Sequence, residues 1–228
     1  TGGTSQFLPL QGTKLSSPAG KVDTNKNLGD PEWEFYDKTF YALGYAFEHR
    51  LSDAWKFRQN LRYSKLELDN QIITAGGWAT AVADDGTVAR GANVYDENIS
   101  HFAVDNNFQA NFSTGTVTHT LLVGLEYLRV NTDYRWLYGT APSSNIIRPV
   151  YGQDFSNVTY TAFQDYNQKR RNTGLYLQDQ IDVTDRLKLR LAGRFDDFEQ
   201  VVDNRIAATR SRQDRTAFSP QVGLAFRV

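Results

Sequence analysis

The chain has 228 residues and a formal net charge of −1, so no bulk charge favours nucleic acid as a partner. Its mean hydropathy is −0.53, and no segment approaches the ~18 consecutive apolar residues of a membrane-spanning helix. Cysteine is absent, which excludes disulfides, thiolate metal ligands and cysteine nucleophiles. Methionine is absent too, and no signal region precedes the first strand, so we expect an internal part of a longer protein.

Seven segments alternate apolar and polar residues with the period of two that predicts a β-strand. The segment 55–63 is typical, because Trp55, Phe57, Leu61 and Tyr63 fall on one side of the strand. Its other side carries Lys56, Arg58, Asn60 and Arg62. In chain order the predicted strands are 41–50, 55–63, 101–112, 119–127, 173–183, 186–196 and 216–228. Pro220 lies inside the last of them and predicts a bulge or an unpaired position.

The connections between these strands alternate in length. Short turns rich in turn-forming residues are predicted near 51–54, 113–116 and 184–186. Long loops are predicted at about 1–36, 69–97, 133–168 and 200–213. Because every second connection is long, all long loops leave the same end of an up-and-down antiparallel sheet. This organisation is typical of an outer-membrane β-barrel, with short periplasmic turns and long extracellular loops.

A soluble β-sandwich explains the same alternation if the apolar side of each strand is a core. Three features favour the membrane barrel: a broad apolar side on every strand, large aromatic rings near strand ends, and the apparent length of the strands. The segment 54–69 is about three times as long as the usual strand of ~5–6 residues. A soluble binding module and an outer-membrane barrel of another substrate class remain the alternatives at this point.

Five stretches together resemble the TonB-dependent siderophore receptors, and within them the ferrichrome-type receptors. They are "FLPLQGT" (7–13), "GYAFEHRLSDAWKFRQNLRY" (44–63), "HFAVDNNFQANFSTGTVTHTLLVGLEY" (101–127), "TGLYLQDQID" (173–182) and "LAGRFDDFEQ" (191–200). The resemblance implies an all-β fold, namely an antiparallel up-and-down transmembrane barrel of about 22 strands around a plugged lumen. About seven of those strands would lie in residues 1–228, as a central portion of the barrel without the plug domain.

The resemblance also implies a function and partners. Such receptors bind a ferric siderophore from outside and import it across the outer membrane of a Gram-negative bacterium. The inner-membrane protein TonB drives this import through the receptor's N-terminal region, which this chain does not include. Lipid and lipopolysaccharide would surround the barrel. Iron would arrive already chelated, so we expect no cofactor, no protein ligand to the metal and no enzymatic activity.

The resemblance points to loop aromatics as siderophore contacts. Phe7 stands where the family pattern Trp-Leu-Pro-x-x-Gly-Thr has its tryptophan, whereas Ser5 stands where the family has a tyrosine. The next loop lacks the tyrosine pair of the ferrichrome receptors, although Trp78 lies nearby and is a candidate. These departures leave the siderophore's identity open. Three further candidates alternate in "DYRWLYG", namely Tyr134, Trp136 and Tyr138, with packing or a membrane-interface girdle as the other explanation.

Other chemistry is weakly represented in the sequence. His49, His101 and His119 lie in separate predicted strands without metal-ligand spacing, and no hydrolase or phosphate-loop motif occurs. An outer-membrane enzyme is therefore disfavoured. Four cations suit an anionic ligand or lipopolysaccharide phosphates, although a solvated, loop-bracing surface is the favoured explanation: Arg148, Lys169, Arg170 and Arg171.

Overall fold

The computed structural model describes residues 8–75 and 82–227, and they form one antiparallel sheet of seven strands. The strands pair in sequence order from β1 to β7, and β1 and β7 are the two edges. All seven predicted strands are confirmed. Their bounds are β1 Phe35–Arg50, β2 Trp55–Ala75, β3 Thr87–Thr114, β4 Val117–Asn145, β5 Tyr160–Asp182, β6 Leu187–Asn204 and β7 Thr209–Phe226.

The strand register places the apolar rows of all seven strands on a single face of the sheet. Across four strands, Leu125 pairs with Leu175, Leu175 with Phe195 and Phe195 with Phe218. We call this the apolar face and its reverse the polar face. The described residues contain no second sheet that could cover the apolar face, so the architecture is not a sandwich. Its large side chains are exposed; Leu43, for example, keeps 77% of its surface.

Ion pairs between neighbouring strands organise the polar face. Glu48 of β1 bonds Lys56 at 3.0 Å and Arg58 at 2.7 Å on β2. These are the lysine and arginine that alternate with Trp55 and Phe57 in the sequence. One side of β2 is apolar and the other is charged, as expected for a barrel wall with lipid outside and a water-filled lumen inside.

The strands run much further than the sequence predicts, and this shortens the predicted long loops. At 69–97, 133–168 and 200–213 the described residues outside strands are reduced to 82–86, 146–159 and 205–208. Backbone pairing continues beyond the apolar row; on β2, Lys65, Glu67 and Asp69 follow Tyr63 on the same side while the pairing with β1 and β3 is unbroken. Alternation therefore measures the lipid-facing length of a strand and not its full length. On β2 the apolar row from Trp55 to Tyr63 has the ~9–11 residues that a tilted membrane strand needs.

The predicted bulge at Pro220 is wrong. Pro220 pairs with Gly193 in an unbroken register from Leu187 to Asn204 of β6. Proline is tolerated there because β7 is an edge strand with a neighbour on one side only. Register shifts occur instead between Val88 and Arg90 and next to Trp136.

The segment before β1 packs with the β4–β5 connection into a loop body at the far end of the sheet. One buried cluster joins Val22 and Leu28 to Ile146, and a second joins Ile73 and Ala92 to Ala141 and Phe155. Ile73 has the same strand parity as Trp55, so the loop body rests on the apolar face above the apolar rows. Within the residues that the structure describes, no helix has the length and hydropathy to cross a membrane.

Candidate functional site

Six aromatic side chains gather on the polar face at the upper end of β3, β4 and β5. Tyr134 lies 5.4 Å from Tyr166 between ring centroids. Trp136 stacks on Tyr95 at 5.4 Å and meets Phe163 at 4.3 Å. We call this group the aromatic shelf: Tyr95, Tyr134, Trp136, Tyr138, Phe163 and Tyr166. It joins broad ring surface to phenol and indole groups, which suits a bulky ligand with apolar surface.

Local strand geometry fixes two of the shelf rings. The indole N–H of Trp136 donates to Oδ1 of buried Asn93 at 3.0 Å, and Nδ2 of Asn93 donates to Thr74 Oγ1 at 3.3 Å. The ring of Tyr138 lies over Gly91, where a Cβ would come within 2.6 Å of Tyr138 Cε2. The absence of a side chain at Gly91 thus creates the space that the ring occupies.

The structure brings three of the five sequence-predicted site residues together and leaves two untested. Tyr134, Trp136 and Tyr138 share the polar face because they alternate along β4. Tyr138 is the most open of the three, at 44% exposed. Phe7 and Trp78 lie outside the described residues.

Sequence reasoning missed Tyr95, Phe163 and Tyr166, the other half of the shelf. They lie in segments that the sequence predicts as loops. The sequence therefore provides no strand pairing from which their neighbours on the adjacent strands could be predicted. Phe163 is the additional residue of the register shift beside Trp136, since Gln164 pairs with Trp136 and Ala162 with Leu137. The sequence offers one local signal, because Asn93 and Tyr95 alternate with the apolar Ala92 and Val94, but this alternation is short.

In one of the five resembling stretches, the described residues 8–13 fold as a tight turn. Gly12 has a φ of +82°, and a Cβ there would lie 2.7 Å from Cγ2 of Val22. The Gly12 carbonyl accepts from Val22 N at 2.8 Å, and Thr13 Oγ1 donates to the Pro9 carbonyl at 2.5 Å. The backbone N–H of Val82 donates to Oε1 of Gln11. The turn ties residues 8–13 to the loop body.

A buried arginine holds the loop body together. Arg90 is 2% exposed, and its guanidinium donates to the carbonyls of Pro142 at 2.8 Å and Gly29 at 2.9 Å. It also donates to the side chain of Gln153. Asp30 is fully buried and accepts the backbone N–H groups of Gly152 and Gln153, both at 3.1 Å. Three segments distant in sequence are thereby fixed to one another.

Lower on the polar face, two glycines make room for a polar network. The Tyr176 ring occupies the space above Gly124, and its hydroxyl donates to Asp105 at 2.7 Å. The Arg194 guanidinium occupies the space above Gly174 and bonds Glu126 and Asp196, both at 2.8 Å. Together with neighbouring polar side chains these groups line a cavity of about 760 Å³ that opens on the polar face. The network makes this stretch of wall hydrophilic and rigid.

A metal site or a catalytic nucleophile requires a particular arrangement of side chains, and among the described residues His119 is the histidine with the most polar contacts. In 8–75 and 82–227, no group of three or more histidine, cysteine, aspartate or glutamate side chains is arranged to hold a metal ion. His119 Nδ1 lies 2.7 Å from Asp179 Oδ2, its Nε2 lies 2.8 Å from Thr114 Oγ1, and its ring stacks on Phe112 at 4.8 Å. This contact fastens the β3–β4 turn to β5 on the apolar face, remote from the aromatic shelf.

Comparison with known proteins agrees with this geometry. Residues 1–228 match the family described as "TonB dependent receptor-like, beta-barrel". The chain is 31% identical to the ferrioxamine B receptor of Salmonella typhimurium over 99% of its length, and 31% identical to the ferrichrome outer membrane transporter/phage receptor of Escherichia coli over 96%. It covers 31% and 32% of those proteins, about a third of their length.

A solved structure shares the fold. The ferric-catecholate import receptor Fiu of E. coli superposes with a TM-score of 0.69 at 22% identity, over 90% of this chain and 32% of Fiu. The resemblance inferred from the five sequence stretches is therefore confirmed, together with the all-β barrel fold. We conclude that the chain belongs to the TonB-dependent receptor β-barrel family of the Gram-negative outer membrane, whose matched members are receptors and transporters and not enzymes.

Proposed function

We propose that the protein containing this chain binds ferric siderophores outside the cell and imports them, and that its siderophores are hydroxamates such as ferrichrome. The single observation that carries the proposal is the aromatic shelf on the polar face, at the upper end of β3, β4 and β5. The two relatives named for ferrioxamine B and ferrichrome support the hydroxamate class. Iron stays inside the chelate, so the protein needs to recognise ligand surface only and supplies no metal ligand or cofactor.

The proposed contacts are Tyr134, Trp136 and Tyr138, joined by Phe7 and Trp78 from the neighbouring loops. Aromatic faces bind a neutral chelate by dispersion and burial, and phenol and indole groups add directional hydrogen bonds. Tyr138 is the strongest candidate of the described three, because its ring is exposed and rests on Gly91 in a fixed position.

Import requires parts of the protein beyond these residues. We propose that a plug domain fills the lumen against the polar face and that TonB acts on the region preceding the plug. The ion pairs around Glu48 and Arg194 make the polar face a hydrophilic lining against which such a domain can pack.

Lipid and lipopolysaccharide are the proposed partners of the apolar face. Lys169 and Arg171 have the parity of that face and stand above its apolar rows, whereas Arg170 points to the polar face and Arg148 lies in the loop body. Arg171 is paired with Glu199 at 3.0 Å. We propose Lys169 and the neighbouring Arg129, which faces Arg171 across the β4–β5 pair, as contacts to lipopolysaccharide phosphates.

The test uses the complete receptor in detergent and measures the dissociation constants of ferrichrome and ferrioxamine B. Tyr138→Ala is expected to weaken binding about tenfold, as loss of a central aromatic contact does at other interfaces. Tyr45→Ala is the matched control, because Tyr45 is similarly exposed, at 49%, on the apolar face. Equal affinities for the two variants overturn the shelf assignment. Tighter binding of a ferric catecholate than of either hydroxamate overturns the hydroxamate class alone.

A further inference from the structure

Glu97 places a carboxylate at the lower edge of the aromatic shelf. It lies on the polar face of β3, and in the strand register it faces Leu68 of β2 and Tyr134 of β4. Its neighbours along β3 on the same face are Tyr95 above and Ile99 below. Glu97 is partly exposed, so a ligand on the shelf can reach it. The carboxylate therefore stands between aromatic rings and aliphatic side chains.

The charge of Glu97 is not balanced by a neighbouring cation. Within residues 8–75 and 82–227, no lysine, arginine or histidine side chain forms an ion pair with it. The polar-face side chains from Ser64 to Thr74 of β2 and from Val130 to Tyr138 of β4 are all uncharged. Lys38 of β1 is on the same face, but it lies two strands away, or ~10 Å at the usual strand spacing. Glu97 thus adds one unpaired negative charge to the proposed siderophore site.

The rings beside Glu97 suit a positive charge as the carboxylate does. Burial, the phenols of Tyr95 and Tyr166, and the charge of Glu97 together raise the pKa of Tyr134 to about 12. Tyr134 therefore stays a neutral phenol near pH 7, and its ring lies 5.4 Å from that of Tyr166. Ring faces attract cations, and a carboxylate attracts them more strongly where its surroundings have low polarity. Carboxylate and rings together form a subsite for a cationic group.

The depth of Glu97 fits a cation that is carried on a flexible arm. Tyr138, the most open ring, stands four residues above Tyr134 on β4, or about 13 Å along the strand at ~3.3 Å per residue. The iron centre of a tris-hydroxamate is neutral, because three hydroxamate anions balance iron(III). Any net charge of such a chelate therefore lies on its backbone or its arms. A chelate seated on Trp136 and Tyr138 can extend an alkylammonium arm of several methylene groups down the shelf to Glu97.

We propose that Glu97 is a specificity-determining residue, which selects ferric hydroxamates with a pendant ammonium group over neutral ones. The assignment rests on the proposed function, because it concerns the charge of the siderophore that the aromatic shelf binds. The chelate packs on Trp136 and Tyr138. Its ammonium group donates to the Glu97 carboxylate, beside the rings of Tyr95 and Tyr134. A neutral hydroxamate uses the same rings and leaves the carboxylate unpaired, so it binds more weakly.

The test compares ferrioxamine B, whose arm ends in a primary amine, with its N-acetylated form, which is the same chelate without the charge. Dissociation constants are measured on the complete receptor in detergent by quenching of tryptophan fluorescence. The unaltered receptor is expected to bind ferrioxamine B about fivefold more tightly, since hydrogen bonds between charged groups are the stronger ones. In Glu97→Gln the two constants are expected to become equal. Asp96→Asn is the control and is expected to keep the preference, because it removes the same charge from the adjacent residue on the apolar face, where Asp96 pairs with Arg135.

The outcomes separate the ammonium subsite from the proposed function. Equal constants in the unaltered receptor, a preference that survives in Glu97→Gln, or an equal loss of preference in Asp96→Asn each overturns the subsite and leaves hydroxamate binding standing. If neither form binds, the proposed function fails, and saturation-transfer NMR with pentylammonium, the arm alone, decides the subsite. Transfer that Glu97→Gln abolishes supports it. Transfer that is absent from the unaltered receptor, or unchanged in Glu97→Gln, overturns it.

Discussion

The indole N–H of Trp136 on β4 donates to Oδ1 of Asn93 on β3 at 3.0 Å, and Asn93 is 97% buried from solvent. This bond sets the tilt of the indole ring, which then receives Tyr95 and Phe163 on either side. A buried amide thus orients the central ring of the aromatic shelf, and the shelf's shape depends on a polar contact as well as on ring packing.

Trp136→Phe is expected to keep the stacking surface and to leave Asn93 Oδ1 without its indole donor. The bond contributes about 1 kcal/mol to holding the ring in one orientation, and ferrichrome affinity in the complete receptor should fall by up to about fivefold because binding must then order the ring. Trp136→Ala should cost more, because the ring surface is lost too. Equal affinities in the two variants would show that ring area contributes nothing. Trp33→Phe, outside the shelf, is the control.

Arg90 is expected to decide whether the loop body stays packed. Arg90→Met removes the guanidinium from the carbonyls of Gly29 and Pro142, and a buried acceptor left without its donor costs about 1–3 kcal/mol. Arg90→Lys should rescue little, because one ammonium cannot reproduce the forked contacts. Limited proteolysis of the receptor should cleave residues 13–30 faster in both variants. Arg148→Met, an exposed loop-body control, should be cleaved as the unaltered receptor is.

Gly124→Ala is expected to displace the Tyr176 ring and to break its hydroxyl bond to Asp105. Overpacking of this kind costs about 1–3 kcal/mol, which lowers the denaturant concentration at half-unfolding of the complete receptor. Gly223→Ala is a matched control in β7, since the nearest atom to its new Cβ is 3.7 Å away. A drop of equal size in both variants would assign the effect to strand glycine in general and refute the role of Tyr176.

We expect the stability of the junction between β2 and the loop body to depend on pH, because Glu34 is partly buried there. Its Oε1 accepts from Ile73 N at 2.8 Å, and burial raises the pKa of the Glu34 carboxyl above its usual value of 4.5. The pKa of Glu34 is higher in the folded protein than in the unfolded chain, so protonated Glu34 favours the folded state. This contribution to the free energy of unfolding is complete below pH 4.5 and is lost as pH rises through the folded pKa.

Hydrogen exchange of the Ile73 amide measures this effect once intrinsic exchange rates are divided out. Protection should be greater near pH 4.5 than near pH 7. Glu34→Gln keeps an acceptor oxygen but cannot ionise, so its protection should stay constant over the same range. A pH dependence that persists in Glu34→Gln would assign the titration to another group.

The amino-acid sequence by itself determined the strand-forming segments and the family. A period of two separates rows such as Trp55–Tyr63 from their charged neighbours without any knowledge of pairing, because side chains alternate strictly along a strand. It also located half of the aromatic shelf, since Tyr134, Trp136 and Tyr138 alternate within one strand.

Only the tertiary structure decided which strands extend beyond the lipid and which side chains meet there. Above Tyr63 the polar residues Lys65, Glu67 and Asp69 occupy the side of β2 that is apolar below, so a single alternation no longer reports the strand, although its pairing with β1 and β3 continues. Tyr95, Phe163 and Tyr166 join the shelf through cross-strand register, and the loop body forms where the β4–β5 connection packs against the segment before β1. Contacts of this kind depend on long-range pairing, which local sequence does not encode.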